Sequence, residues 1–574
     1  MRIAKVEIGN YRNLDGVSVS FDEDCNFIVG ENNIGKSNLL NMFRILFSNK
    51  SFDLSDFADP TNPVEVKIRL RLEDIEIGHF EDLFDLENYS FINIVGRQLS
   101  PNDNIEFHHL ETDTFIPAYI VRGINYIHYD SLRNPISEIN LDKRKGVGKF
   151  LVKVISQYLE DNESGDKKFL NDEEVSSLLK EINLKISKLK SFTDFKISAD
   201  HEEDLCSLLS RIIVFKDDKG NLLSKSGYGV QFLILIILSI LDKIQVIKEQ
   251  RRKAGIFEKS NKNYMSLLIG LDEPEIHLHP YMQRSLIKYL NNVILNSDSD
   301  FQGLVKDLFD IDGFIGQIIV VTHSPNILLN DYRQIIRFYR EADVIKVKSG
   351  SEIVLNEQHA KHLHMRFPYF KEAFFSRCVI FVEGESEEAS FPCFAATMSL
   401  DFDSYGISII QSHGGALNAI NILIELAQKF NICSVGIADK DDNLPVSPPV
   451  YLTDKRDFDE EIVSSLFDVG KENILEEIIK EFNNGNVNIT LQPGILNKCA
   501  VNTYKIITSN FTSNLTFANA KLSGGVQLKA FYLTWFASRK SYPLGKIIGE
   551  KIGSQEIPTI YQTVIREAVK ISEL

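Results

Sequence analysis

Apolar and polar residues alternate with period two from Arg2 to Ile8, the pattern of a half-buried strand. Asn26 to Val29 is a short run ending at glycine, and Asn38 to Phe47 carries apolar residues at helical spacing. Strand, glycine loop and helix form the first predicted unit. Val64 to Leu72 alternates again, and Ala118 to Tyr129 holds further strand-like material. From about residue 146 to 203, Lys, Glu, Ser and Leu dominate at helical spacing, as in Glu173 to Leu189. This predicts an inserted helical arm, either a set of surface helices or a dimerisation or clamp element. Phe232 to Leu241 is the strongest apolar run, about half the roughly 20 residues a bilayer span needs, so it predicts a buried helix.

Strand-like runs return at Ser266–Leu271 and Gln317–Thr322. A junction rich in His, Phe and Lys follows, over 351–375. Beyond it Cys378–Val382, Gly406–Gln411 and Ser434–Ala438 are short apolar runs separated by helical material, the βαβ rhythm of a parallel sheet. The predicted class is α/β, with one domain over 1–350 and a second over 376–574. Neither an internal repeat nor a low-complexity tract interrupts it.

Composition narrows the class. The 574 residues include 44% hydrophobic and 25% charged side chains, which excludes a disordered, collagen-like or disulfide-scaffold chain. Met1 to Gly9 reads as a strand rather than a secretory leader, and the six cysteines form no CxxC pair. A reducing, cytoplasmic setting is expected, with no membrane partner. The net charge of −17 argues against a protein that coats nucleic acid throughout. Leu491 to Leu574, however, holds ten Lys/Arg against four Asp/Glu, a local +6 that leaves −23 on the rest. Such a region permits local phosphate binding, or is an ordinary solvated surface.

Gly30-Glu-Asn-Asn33-Ile-Gly35-Lys36-Ser37, followed by Asn38, is a complete P-loop in the right context. Its backbone amides and the following helix N-terminus suit phosphates; Lys36 reaches them, and Ser37 is the expected Mg²⁺ ligand. Leu267 to Leu271 is an apolar run ending in Asp272 and Glu273, where Asp272 would hold Mg²⁺ through water and Glu273 would polarise the attacking water. Gln317 to Val321 delivers Thr322 and His323, the latter placed to sense a γ-phosphate. Ser226, Gly227 and Gly229 precede the apolar helix as a second phosphate-friendly N-terminus. Their glycine placement departs from the common ABC signature; as that signature they would complete the site of a second subunit. The order of these motifs, with Asp272 to Pro280 nearly verbatim, resembles the ABC ATPase heads of the SMC and RecF type.

The second half carries other chemistry. Cys378 to Val382 ends in Glu383-Gly384, with Glu387 four residues after Glu383; Ser434 to Ala438 ends in Asp439-Lys-Asp441. Parallel strands would bring these acids to one sheet edge. Four carboxylates there repel unless cations neutralise them, and hard oxygen ligands favour Mg²⁺ or Mn²⁺. Two such ions would clamp the attacking and leaving oxygens of a phosphodiester. The alternative is an acidic surface edge.

These acid motifs resemble the Toprim domain, and an ABC head followed by Toprim resembles the OLD (overcoming lysogenization defect) family, including the Gabija and retron-associated nucleases. The resemblance implies a C-terminal Rossmann-like Toprim domain with Glu383, Glu387, Asp439 and Asp441 as metal ligands. It also implies a further acid, open between Asp457, Asp459, Glu460 and Glu461. A late lysine near the scissile phosphate is expected as well, with Lys521 and Lys529 the candidates and Lys540 behind them. Asp130-Ser-Leu-Arg133 lies where OLD ATPase domains often carry an arginine. The function implied is an ATP-regulated, divalent-metal-dependent DNA endonuclease in anti-phage defence. It would act as a homodimer or larger, with a helicase or a retron reverse transcriptase and its RNA as conceivable partners. The alternative is a DNA-clamping ATPase of repair or maintenance whose Toprim site is inactive or partner-triggered. A topoisomerase would need a separate tyrosine domain, and a primase a zinc-binding cysteine cluster; neither is recognisable.

Overall fold

The computed structural model describes residues 1–130, 172–188, 197–201, 213–217, 220, 228–250 and 255–573, except 49, 82, 86, 277, 343, 415, 442 and 444. The chain divides into two compact units, Met1–Ile353 and Val354–Leu574. The stretch 351–375, expected as a junction, is helical over Glu357–Phe370 and falls almost wholly in the second unit.

In the first unit the described strands are β1 (Arg2–Gly9), β2 (Ser18–Ser20), β3 (Cys25–Val29), β4 (Val64–Arg71), β5 (Phe91–Gln98), β6 (Glu106–His109), β7 (Phe115–Ile116), β8 (Tyr126–Tyr129), β9 (Ile197–His201), β10 (Ile213–Asp217), β11 (Ile256–Lys259), β12 (Lys262–Asp272), β13 (Gly313–Val321), β14 (Ile335–Glu341) and β15 (Val344–Ser349). An antiparallel sheet runs β2-β1-β4-β5-β6-β7. Strict alternation in β4 buries every second residue, as a sheet with one covered face requires. A second sheet runs β12-β13-β3-β14-β15, with β8 and β11 both along the far edge of β12. Its central strands β3 and β13 are buried on both faces, hence their unbroken apolar runs. One core joins both sheets with the helix Lys36–Leu46.

Two expectations need correction. Only Tyr126–Tyr129 of Ala118–Tyr129 is a strand; Ala118–Ile124 is helical. The chain reverses at Asn125, whose φ is 57° and whose side-chain amide donates to Ser266 O at 3.0 Å. The arm is not purely helical: its helix spans Asp172–Ile186, but β9 pairs antiparallel with β10. The rest of 146–203 lies outside the described residues. The run Phe232–Leu241 lies in a helix over Tyr228–Gln250 that buries Ile236, Ile240 and Leu241. Among the described residues no helix is long and apolar enough to cross a membrane.

The second unit holds a parallel sheet of β16 (Cys378–Val382), β17 (Ile407–Gln411), β18 (Cys433–Ala438) and β19 (Val450–Leu452), in the order β17-β16-β18-β19. The last 80 residues, which carry no recognisable motif, fold onto it. Trp535, Phe531, Phe536 and Tyr561 are fully buried in the same core as β16 and β18. The helix Tyr542–Lys551 lies tight against Glu385–Thr397: a Cβ on Gly545 would come 2.4 Å from Ser386 O, and one on Gly549 2.6 Å from Cys393 Cβ.

Candidate functional site

In the first unit β3 ends at Gly30, and Lys36 opens the helix that follows the glycine loop. Asn33, Gly35, Lys36, Ser37 and Asn38 line one cavity of about 650 Å³ together with Glu273, Glu275 and His323. Lys36 Nζ donates to Gly30 O at 2.9 Å and Glu31 O at 2.5 Å. Burial pushes this ammonium down to about 8, against the pull of Glu273, Asp272 and Glu275. Ser37 Oγ donates to Asp272 Oδ1 at 2.9 Å, so two sequence motifs 235 residues apart meet. Burial pushes Asp272 up to about 6, with Glu273 adding to the rise and the Ser37 bond opposing it. His323 Nε2 lies 3.5 Å from Glu273 Oε1, and burial with Lys36 nearby holds the imidazole below its ordinary range. Ser226 and Gly227 lie outside the described residues, and Gly229 falls in the first turn of Tyr228–Gln250. Ser131 and Arg133 are likewise outside them; Asp130 acts electrostatically on Asp272.

In the second unit Glu383 follows β16, and a helix begins at once at Glu385, which folds Glu387 back over the strand end. Gly384 leaves room for this carboxylate: a Cβ there would stand 2.9 Å from Glu387 Oε2 and displace it. Asp439 follows β18, the neighbouring strand, and its backbone N–H donates to Glu383 Oε2 at 3.0 Å. Asp439 Oδ1 accepts from Phe458 N at 3.0 Å. Glu387 and Asp439 are both pushed well above the carboxylate range, by burial first; Asp459 and Glu383 add to the rise of Glu387, and Glu387 and Glu383 to that of Asp439. Asp441 is turned away, at φ 39°, and pairs with Arg456 at 3.1 Å.

The four candidates for the further acid differ in their hydrogen bonds. Asp457 caps the helix Phe458–Phe467 and accepts Tyr504 Oη at 2.9 Å. Glu460 accepts Arg456 N and Glu461 accepts Lys455 N, so both stabilise the local turn. Asp459 is 1% exposed, and neither of its oxygens has a hydrogen-bond partner. Lys540 Nζ stands 3.1 Å from Asp459 and 3.5 Å from Asp457, as ion pairs. Burial pushes Asp459 up to about 6, against the pull of Lys540. Lys540 also acts on Glu387 and Asp439. Lys521 and Lys529 are instead paired with Glu476 and Asp468, each at 2.7 Å, so Lys540 takes their place as the candidate lysine.

Among the described residues no three His, Cys, Asp or Glu side chains converge as a ready-made metal-ligand set. The donors nevertheless suit a hard divalent cation: all are oxygens, they repel one another, and the buried Asp459, without a hydrogen-bond donor, is balanced by the Lys540 ammonium, a charge that a cation could share. Sequence reading missed three contributors. Arg12 donates to Asn38 Oδ1 at 2.6 Å while pairing with Asp56, and Asn13 accepts from Asn38 Nδ2 at 2.7 Å. Glu275 accepts from Thr322 Oγ1 and from His323 N. The polar turn after β1 and the second glutamate of Asp-Glu-Pro-Glu were their only signals.

A P-loop head with its acid pair and histidine on one cavity, followed by a parallel sheet with acids at its carboxyl edge, defines an ATPase head joined to a Toprim-type domain. Family comparison agrees. The AAA ATPase domain model matches residues 1–114 and 141–328, and the "Overcoming lysogenization defect protein-like, TOPRIM domain" model matches 374–441. The chain belongs to the AAA ATPase domain family and carries an OLD-like Toprim domain. It is 22% identical to Endonuclease GajA of Bacillus cereus (strain HuB5-5) over 70% of this chain and 59% of that protein. It is 24% identical to the Old nuclease of Escherichia phage P2, over 67% of this chain and 68% of that one. With Septu protein PtuA of Bacillus thuringiensis it shares 23% over 57% of this chain and 72% of that one.

Proposed function

We propose that this protein is an ATP-regulated, Mg²⁺- or Mn²⁺-dependent DNA endonuclease of anti-phage defence. The observation that carries the reading is the acid edge: Glu383, Glu387, Asp439 and Asp459 on one end of a parallel sheet, with Lys540 reaching in from a distant helix start. The names of two relatives, Endonuclease GajA and Old nuclease, support it.

Glu383, Glu387, Asp439 and Asp459 would hold the divalent cations, with Asp441 joining if it leaves Arg456. Bound there, the cations would supply charge neutralisation and activation of water and leaving oxygen. Lys540 would place a fixed positive charge beside the scissile phosphate. In the head, Lys36 would exchange the carbonyls of Gly30 and Glu31 for phosphate oxygens. Glu273 would polarise the attacking water and His323 would sense the γ-phosphate. The oligomer is proposed to be at least a homodimer, through the segment containing Ser226, Gly227 and Gly229.

A second reading is a DNA-clamping ATPase whose Toprim site acts only on a trigger. The pairing of Asp441 with Arg456 and of Asp459 with Lys540 favours that variant. Cleavage of supercoiled plasmid and linear duplex, with Mg²⁺ or Mn²⁺ and with or without ATP, separates the two. Cleavage that is lost in Asp439→Ala with Asp441→Ala, while ATP binding persists, is the expected result. No cleavage under any condition, with ATP hydrolysis intact, would favour the clamp.

A further inference from the structure

The acid edge of the second unit has an aromatic neighbour. β17 ends at Gln411, and the chain turns through Ser412, His413 and Gly414 beside Glu383. Ser412 N donates to Val382 O at 2.8 Å, and Ser412 Oγ lies 3.5 Å from Glu383 O. Arg366, buried in the helix Glu357–Phe370, donates to Ser412 O at 2.5 Å and to Gly414 O at 2.9 Å. A buried guanidinium bound to two carbonyls fixes the turn, with His413 at φ 51° and its side chain exposed. The His413 ring stands 3.9 Å from that of Tyr369, centroid to centroid, at 39°. Tyr369 is 52% exposed and Met365, one turn earlier, 61%. Aromatic rings paired and left in water contribute little to a core; their chemistry suits stacking on a planar ligand.

We propose that Tyr369 and His413 form a stacking platform for one nucleobase of the strand being cut. The substrate would then be DNA with an unpaired or extruded base beside the scissile phosphate. This rests on the nuclease reading and deepens it. His413 follows Ser412 directly, and Ser412 meets the main chain of Val382 and Glu383, so the proposal puts the stacked base in a nucleotide flanking the one at the acids. Extruding a base from a duplex costs a few kcal/mol, least at a mismatch or in single strand, and stacking on an aromatic side chain offsets it.

The test uses the full chain and a duplex containing the mapped cut, with one abasic nucleotide stepped across it. Wild type should lose about tenfold in kcat/KM when one particular position is abasic. Tyr369→Ala should lose about the same on intact DNA, through KM, and nothing more on that abasic substrate. Tyr369→Phe should keep nearly full activity, and the melting temperatures should match. A flat abasic profile, or losses that multiply in the variant, would overturn the platform while leaving the nuclease standing. If wild type does not cut at all, the nuclease reading fails, and the platform is read by 2-aminopurine fluorescence of a single-stranded oligonucleotide. Quenching by wild type that disappears in Tyr369→Ala supports it; equal signals refute it.

Discussion

Asp457 and Asp459 stand two residues apart and do different work. Asp457 is filled by the N–H of Glu460, by Tyr504 and by Lys540; Asp459 keeps both oxygens without a hydrogen-bond donor. Lys540 bridges the two acids, 3.1 Å from Asp459 and 3.5 Å from Asp457, and Asp459 is the one we propose as a further cation ligand. Lys540→Ala is expected to lower cleavage at least a hundredfold, whereas Lys521→Ala and Lys529→Ala, which break surface ion pairs and contacts with the Phe517 and Phe467 rings away from the acids, stay within about twofold. Plasmid nicking rates decide between them. The raised Asp459 also predicts a pH dependence. Its value of about 6 lies above the ordinary 3.8, so the folded state binds the proton more tightly than the unfolded one. Its contribution to stability is full below about pH 4 and is lost as pH rises through about 6. The cation-free protein should therefore melt at a lower temperature at pH 7.5 than at pH 5. Asp459→Asn should shrink that difference, by at most about 3 kcal/mol. An unchanged difference would show that Asp459 is not the buried acid described here.

At the scale of elements, the helix Tyr542–Lys551 places the site's lysine. Gly545 and Gly549 face Ser386, Ser390 and Cys393 of the acid-bearing helix with no room for a side chain. Close packing there holds the start of the helix, and with it Lys540, against Asp459. Gly545→Leu is expected to overpack this contact at a cost of about 1–3 kcal/mol and to cut cleavage by more than the loss of folded protein explains. Melting curves and specific activity together check it. Much at this scale was legible. The buried runs of β3, β13, β16 and β18 and the half-buried alternation of β4 each sit within a residue or two of their predicted limits, except that β13 begins earlier. Ala118–Ile124 was misread because its apolar residues serve a helical turn under Asn125, a reversal that depends on Ser266 far along the chain.

For the whole molecule, the basic C-terminal stretch changes meaning once folded. Lys521, Lys529, Lys540 and Lys551 pair with Glu476, Asp468, Asp457 and Asp459, and Glu481, all within residues 457–481. Much of the local +6 is thus neutralised internally rather than offered to phosphates. The division into Met1–Ile353 and Val354–Leu574 predicts two calorimetric transitions. ATP with Mg²⁺ at about a hundred times its Kd should stabilise one of them by about 2.7 kcal/mol. Lys36→Ala should abolish that shift without moving the other transition. A shift that survives in Lys36→Ala would remove the P-loop from nucleotide binding.

Sequence alone determined the two chemistries. A glycine loop before a helix, or an acid at the end of an apolar strand, is complete within about ten residues and needs only local backbone geometry. The parallel β-rhythm then implied that Glu383 and Asp439 share an edge. Tertiary structure decided the partners. Asp457 and Lys540 lie 83 residues apart and meet through tertiary packing, in which a pair of glycines lets the helix after Lys540 press on the acid-bearing helix. Asp441 has the right spacing but is drawn to Arg456 by a backbone at positive φ. Charge pairing and helix contact across such separations leave no periodic trace in the chain, because any of several lysines and acids could satisfy the same composition.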